Sequence, residues 1–483
     1  MEIISDYQNL IDYSIDLLNK KQVNYGEVRY TKDMILKIIA RDMKVSEFNR
    51  SSDHGIGIRV QVEKGAPLAF VSTSDLSKES IKMLIEEAVQ NSLSLSRISK
   101  EEINFSQQSI NKKNITHLSN NSIFDATITE IKDYVITHSK LIKDQGVSSA
   151  SCGLAGLIRF KHIMTTEGND ISYMVDGVGY RGDATIRKMG KFESFAERKG
   201  GTIGFKALLN DLEKSEIAEE IGKTVITMIT GKSIDSGSYD VIIDPAFSGL
   251  LAHESFGHMT EADSIVTRES ALSDRIGERF APEFVSIADD STLDKGAWNF
   301  IDDEGIQGQK SIILDHGILE KFLSDRLNAY QLDTTSTGNS RAQDYGYSPI
   351  VRMTNTCFLP GDFTFDEMLE DIKLGIFCKG HAGGEAGNTG KFSFRSQVSY
   401  LIENGEITNV LSGVTLNGNI LEYLGKIDAV GKKFELTVDC GFGGCGKGGQ
   451  TALVGLGGSY LRFRNVNITG SLKRSMPKGM MMK

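Results

Sequence analysis

Near residue 236 the chain changes texture, and that change limits the folds open to it. Before it, helical periods alternate with long strand-like runs. After it, short β-like pieces such as "YDVIIDP", "SIILDHGILEKFLS", "VSYLIENGEITNVLSG" and "YLRFRNVNITG" alternate with glycine-rich turns. At 483 residues the chain is also too long for one ordinary core. Together these observations predict an α+β fold: an N-terminal α+β domain over 1–235, then a β-rich C-terminal domain over 236–483 with an inserted helix.

Within the first part, "DYQNLIDYSIDLLNKK" has helical periodicity and "GEVRYTKDMILKIIARDMKVSEFNR" alternates like paired strands. "GIGIRVQVEKGAPLAFVSTS" reads as a hairpin turning at Glu63-Lys64-Gly65, and "SKESIKMLIEEAVQNSLSLS" as a helix. The polar run 106–122 looks like a linker. Beyond it, "DATITEIKDYVITHSKLIKD" is helical and β-like runs extend from 146 to 205. "DLEKSEIAEEIGKTVITMITG" closes the region as one helix capped at Gly231. The pattern divides 1–235 into two units of similar type, about 1–110 and 123–235.

The net charge is −10, from 54 basic and 64 acidic side chains. No large cationic surface is available, which argues against nucleic acid or an anionic membrane as a partner. No stretch approaches the ~18 apolar residues of a membrane helix. The N-terminus carries acids where a signal peptide would carry lysines. Five cysteines without framework spacing suggest reduced thiols, so a cytoplasmic location is expected.

The segment "LLAHESFGHMTEAD" holds the chemistry. It places His253 and Glu254 together and His258 five residues after the first histidine. Zinc accepts neutral imidazoles, and an adjacent carboxylate can take a proton from water during peptide hydrolysis. Five residues of a regular α-helix turn through roughly 500°, however, which points the rings about 140° apart. A single π-type turn removes the objection, because i→i+5 bonding stacks i over i+5. Gly257 makes such an adjustment easier. Without it, the two histidines would be unrelated residues of a surface helix.

A catalytic zinc site needs a third protein ligand and an open position. Residue types alone leave it open among six further histidines and five cysteines. The "VDCGFGGCGKGGQT" loop is the most interesting place, since its glycines permit close approach and leave a thiolate accessible. "GFGGCGKG" also imitates a phosphate-binding loop. Position 448 is glycine rather than Ser/Thr, and no helix-forming sequence follows, so nucleotide binding is set aside. "KGHAGGEAGNTGKFSF" reads as a hairpin connection or a ligand-gripping loop containing Gly383 and Gly384. Arg352 and Asn355 could hold a peptide backbone or carboxylate, or serve as structural groups.

In order along the chain, "HESFGHMTEAD", "IDDEGIQGQ", "VRMTNT", "YLIENGEIT" and "GCGKGGQ" resemble the TldD/PmbA family of zinc metallopeptidases. The likeness is to the TldD branch, which keeps H-E-x-x-x-H where the PmbA (TldE) branch lacks it. The resemblance implies Zn2+ held by His253, His258 and Cys445, with Glu254 as the catalytic base. It implies unfolded peptides or small proteins as substrates, cleaved inside a dimer cavity. The dimer would be a homodimer or a heterodimer with a PmbA/TldE-like partner. Arg352, Asn355, Gly383 and Gly384 are the expected substrate contacts. Phe256, where relatives often carry a small or aliphatic residue, could alter a subsite. The rival expectations are an inactive scaffold with structural zinc, or the gyrase-associated modulator of the family's older names.

Overall fold

The computed structural model describes residues 7–99, 102–188 and 190–470. Its N-terminal part runs α1 (Tyr7–Lys20), β1 (Tyr25–Arg41), β2 (Lys44–Gln61), β3 (Ala69–Thr73), α2 (Lys78–Ser96) and β4 (Lys112–His117). It continues through α3 (Ile128–Asp144), β5 (Ser149–Thr165), β6 (Asp170–Lys188), β7 (Lys191–Gly201), α4 (Phe205–Lys214) and α5 (Ile217–Met228). The strands form one seven-stranded sheet in the order β3-β2-β1-β5-β6-β4, with β7 also on β6. Both halves of the region therefore share a single sheet. The helices cover it with amphipathic faces, such as Leu10, Ile11, Ile15 and Leu18 of α1. Asp42 and Met43, both at positive φ, make the two-residue turn that joins β1 to β2.

Three local expectations change. The supposed linker 106–122 contains β4, which lies parallel to β6. Its residues are mostly exposed, so it lacks the apolar alternation that marks a buried strand. The helix expected to close the region is two, because Glu216 takes a left-handed conformation between α4 and α5. The turn after β2 is longer than three residues, spanning 62–68.

The C-terminal part begins with β8 (Gly237–Ile243), α6 (Pro245–Leu250), a π-helical turn at Leu251–Gly257 and α7 (Ala262–Val266). A loop-rich middle holds β9 (Ile287–Asp290), β10 (Lys310–Asp315), β11 (Ile318–Leu319), α8 (Arg326–Gln331), β12 (Ser340–Arg341), β13 (Ile350–Val351), β14 (Thr356–Phe358) and α9 (Phe365–Glu370). Then come β15 (Leu374–Ala386), β16 (Lys391–Glu403), β17 (Glu406–Leu411), β18 (Thr415–Asn419) and α10 (Ile420–Leu424). The described chain ends with β19 (Ile427–Val438), β20 (Cys445–Lys447), β21 (Gln450–Ala452) and β22 (Gly455–Thr469).

The order β15-β8-β22-β18-β16-β17 closes on itself, because β15 also pairs with β16. This barrel-like sheet packs its inner face on α6 and the π turn through Val241, Ile243, Phe247, Leu251, Phe256, Ile376 and Phe463. The architecture is α+β, with a β-rich C-terminal part. No helix among the described residues is long and apolar enough to cross a membrane.

The glycines of β22 have a steric reason. Gly249 of α6 lies so close to Gly457 that a Cβ on it would overlap the strand backbone. Helix and strand can touch only because neither carries a side chain there. Gly249→Ala should therefore destabilise the protein by about 1–3 kcal/mol. Urea denaturation checks this, with the midpoint moving to lower denaturant.

Candidate metal centre

Asp244 opens α6 by accepting a hydrogen bond from the Phe247 N–H at 2.9 Å, with Pro245 in the first turn. The helix then widens over Leu251–Gly257. There the His258 N–H donates to the His253 carbonyl, five residues back. This bond brings the two rings to 5.0 Å between centroids, 81° apart in plane. Gly257 keeps an ordinary helical backbone at φ −57, so its left-handed freedom is not used. Its value lies in packing: a Cβ there would run into Met353 Sδ. Phe256 is wholly buried in the core, so it cannot shape a subsite as expected from sequence.

The third member arrives from 187 residues away. Cys445 stands in the small β20–β21 hairpin, where it pairs with Ala452, and its Sγ lies 3.5 Å from His258 Nε2. Ligand atoms of His253, His258 and Cys445 all fall within 4.8 Å of one another. Zinc bonds of 2.0–2.3 Å in a tetrahedron put ligand atoms roughly 3.3–3.8 Å apart, so the Cys445–His258 pair at 3.5 Å fits zinc in spacing and the whole donor set fits it in chemistry. His253 is buried, and its Nδ1 has no hydrogen-bond partner among the described residues. An imidazole so placed costs free energy unless it meets a partner the chain does not supply. Cys440 is elsewhere: its thiol faces the Gly201 carbonyl at 3.8 Å, and burial pushes its pKa up to about 12.

The neighbours prepare these groups. Buried Glu261 takes His258 Nδ1 at 2.8 Å, which turns Nε2 toward Cys445. Lys447 holds Glu261 at 3.1 Å and Asp263 at 2.6 Å. Burial, then the charges of His258, Arg352 and Arg341, hold His253 well below its ordinary pKa. Burial alone would raise the Cys445 thiol, but the bond to His258 and the charges of His258 and Arg352 bring it below its ordinary value. In the metal-free chain burial pulls His258 down, yet Cys445 and Glu261 outweigh it and lift it to about 10. A neutral imidazole and a thiolate are the forms that bind zinc. Glu254 projects at the mouth of the site, with 40% of its side chain exposed and Oε2 3.7 Å from His258 Nε2.

Two expected substrate contacts prove structural. Arg352 has no exposed surface; its guanidinium donates to the Cys445 carbonyl and, at 3.2 Å, to the Gln450 carbonyl. It grips the hairpin that carries the thiolate. Buried Asn355 accepts from the Ala297 N–H at 2.7 Å and donates to the Asp290 carbonyl at 2.6 Å. Neither side chain can reach a substrate from there. Gly383 and Gly384 are exposed, and they lie in a strand rather than a loop: β15 runs on to Ala386, with a bulge between His381 and Gly384.

A cleft of about 140 Å³ joins His253, Glu254 and Cys445 to Arg198 of β7 and to Gly380 and His381 of β15. A second hollow of about 470 Å³ continues beyond Glu254 and His258 past Ala386, Gly387 and Lys447. Sequence reasoning missed the roles of Glu261, Lys447 and Arg198, and held His381 only as one of six further histidines, within the "KGHAGGEAGNTGKFSF" segment. Only Glu261 left a signal, the i,i+3 spacing from His258.

The chain is similar to known proteins in sequence and in fold. Residues 236–470 match the PmbA/TldA metallopeptidase C-terminal domain, and residues 26–92 match PmbA/TldA metallopeptidase domain 1. A metalloprotease of Methanocaldococcus jannaschii is 34% identical, over 91% of this chain and 96% of its own length. A zinc metalloprotease TldD homolog of Saccharolobus solfataricus is 26% identical, over 92% and 97% respectively. The structure of TldE from Thermococcus kodakarensis shares the fold at a TM-score of 0.75 and 18% identity, covering 95% of this chain and all of that one (100%).

If Arg352 positions Cys445, Arg352→Leu should weaken metal retention about 10–100-fold. Competition against a chelator checks this, with Cys440→Ser expected to leave retention unchanged.

Proposed function

The chain belongs to the TldD/PmbA family of metallopeptidases, and we propose that it is a zinc-dependent peptidase acting on unfolded peptides or small proteins. The supporting observation is the convergence of His253, His258 and Cys445 beside a half-exposed Glu254 at the mouth of a cleft. His253, His258 and Cys445 would hold the zinc. When bound, zinc supplies Lewis-acid polarisation of water and of the scissile carbonyl. Glu254 accepts the proton of the attacking water on its carboxylate and delivers it to the leaving amine. Glu261, backed by Lys447, keeps His258 oriented throughout. A structural zinc would have no use for a carboxylate projecting into a cleft, which favours catalysis.

The substrate lies extended along β15. That strand pairs with β8 only from Gly375 to Cys378, so its edge beyond Cys378 has no β8 partner. A peptide added there would use backbone hydrogen bonds and so tolerate many sequences. Gly383 and Gly384 remain the proposed contacts, since open space lies above Gly383. Hollows on both sides of Glu254 leave room for chain on either side of the cleaved bond. Residues 1–235 and 236–483 are taken as the two domains, because the two large sheets fall on either side of that boundary. A homodimer, or a heterodimer with a PmbA/TldE-like partner, in the cytoplasm is the working assembly; the fold shared with TldE supports it.

Glu254→Gln should lower hydrolysis of an unstructured peptide about 10²–10⁴-fold with zinc content unchanged. Chelation of wild type should abolish turnover, and added zinc should restore it. Retained activity in Glu254→Gln would sink this reading.

A further inference from the structure

His381 lies in the cleft with His253, Glu254 and Cys445 yet does not belong to their metal-binding group. Neither of its ring nitrogens has a hydrogen-bond partner among the described residues. It stands where the β15–β16 register slips, at the bulge between His381 and Gly384. Gly383 and Gly384 there adopt φ of 92 and 154, conformations that a side chain would strain. Bulges of this kind re-aim one side chain beside an active site. Burial, and then the charge of Arg198, hold the imidazole down at about pH 4, so it is neutral in ordinary buffers. A neutral ring carries one N–H to donate.

The chemistry asks for such a group. When water adds to a peptide carbonyl, the oxygen gains a full negative charge, and a donor aimed at it stabilises the transition state more than the ground state. Zinc would polarise the same oxygen, and His381 adds a protein donor to it: Glu254 is the base, Arg352 is bound to carbonyls, and Arg198, whose Nε lies 3.4 Å from Asp439, stands on β7 rather than on the strand that carries the substrate. We propose that His381 is a catalytic residue whose ring N–H donates to the scissile carbonyl oxygen as it becomes an oxyanion. This rests on the peptidase reading above. The proton stays on His381 throughout; only the hydrogen bond strengthens and then relaxes as the carbon–nitrogen bond breaks. The bulge is the positioning device, and the substrate strand along β15 carries its carbonyl past the ring.

The test compares wild type with His381→Ala, His381→Asn and His381→Gln, using an internally quenched unstructured peptide. His381→Ala should lower kcat about 10²–10³-fold, with KM within about threefold and zinc content and melting temperature unchanged. At least one of the two amide variants, which retain a donor, should recover about tenfold or more of that loss. The proposal is overturned if kcat in His381→Ala stays within about threefold of wild type. It is equally overturned if the loss lies in KM alone, if zinc is lost with activity, or if neither amide recovers activity. A wild-type chain that hydrolyses no peptide is a separate result, which removes the peptidase reading itself.

Discussion

One backbone hydrogen bond carries the site: the His258 N–H to the His253 carbonyl. In a regular helix that N–H would bond one residue later, and the rings would diverge. Skipping a residue turns a spacing that looks wrong for one metal into a spacing that suits it. The widened turn persists because its surroundings leave it little freedom. Asp244 fixes where α6 begins, Gly249 lets it sit against β22, and Gly257 admits Met353. Phe247, Leu251 and Phe256 then anchor it in the core.

The other half of the site depends on buried cations rather than on packing. Arg352 and Arg341 both donate to backbone carbonyls near the Cys445 hairpin, at Cys445, Gln450, Met353 and Leu453. The charge of Arg352 also favours the thiolate, and both charges favour the neutral form of His253. Positioning and protonation thus come from the same residues. A second buried network joins the N-terminal sheet to the loop-rich middle: Arg59 bridges Glu27 and Glu304, and Lys161 holds Asp303 at 2.7 Å. Removing one member would strand a buried charge, so these contacts fix geometry more than they add stability. They keep the two parts of the chain in register, and Arg198 of β7 can then form one wall of the cleft.

Much of this was legible in sequence. Alternation in "GEVRYTKDMILKIIARDMKVSEFNR" gives β1 and β2, and the glycine-rich texture after 236 marks the β-rich part. The five-residue histidine spacing demands a departure from α-geometry, and the chain makes one. Other features left no local trace. β4 is polar and mostly exposed, so no apolar period announces it. Arg352 and Asn355 looked like substrate contacts because polar residues before a strand usually face solvent; their burial is decided by partners about 60 to 100 residues away. His381 was visible only as one letter in a glycine run, since its aim depends on a register slip between two strands. Local periodicity shows elements. Which side chains meet is set by long-range packing, which no window of the sequence contains.

The π turn and the distant hairpin are proposed to form together one metal site of two imidazoles and one thiolate. Zinc K-edge absorption spectroscopy on the metal-loaded protein tests it most directly. Such a site gives nitrogen or oxygen scatterers at about 2.0–2.1 Å and a sulfur scatterer at about 2.3 Å, the sulfur disappearing in Cys445→Ala. A zinc shell without sulfur in the wild-type protein, or one that keeps its sulfur in Cys445→Ala, would contradict it.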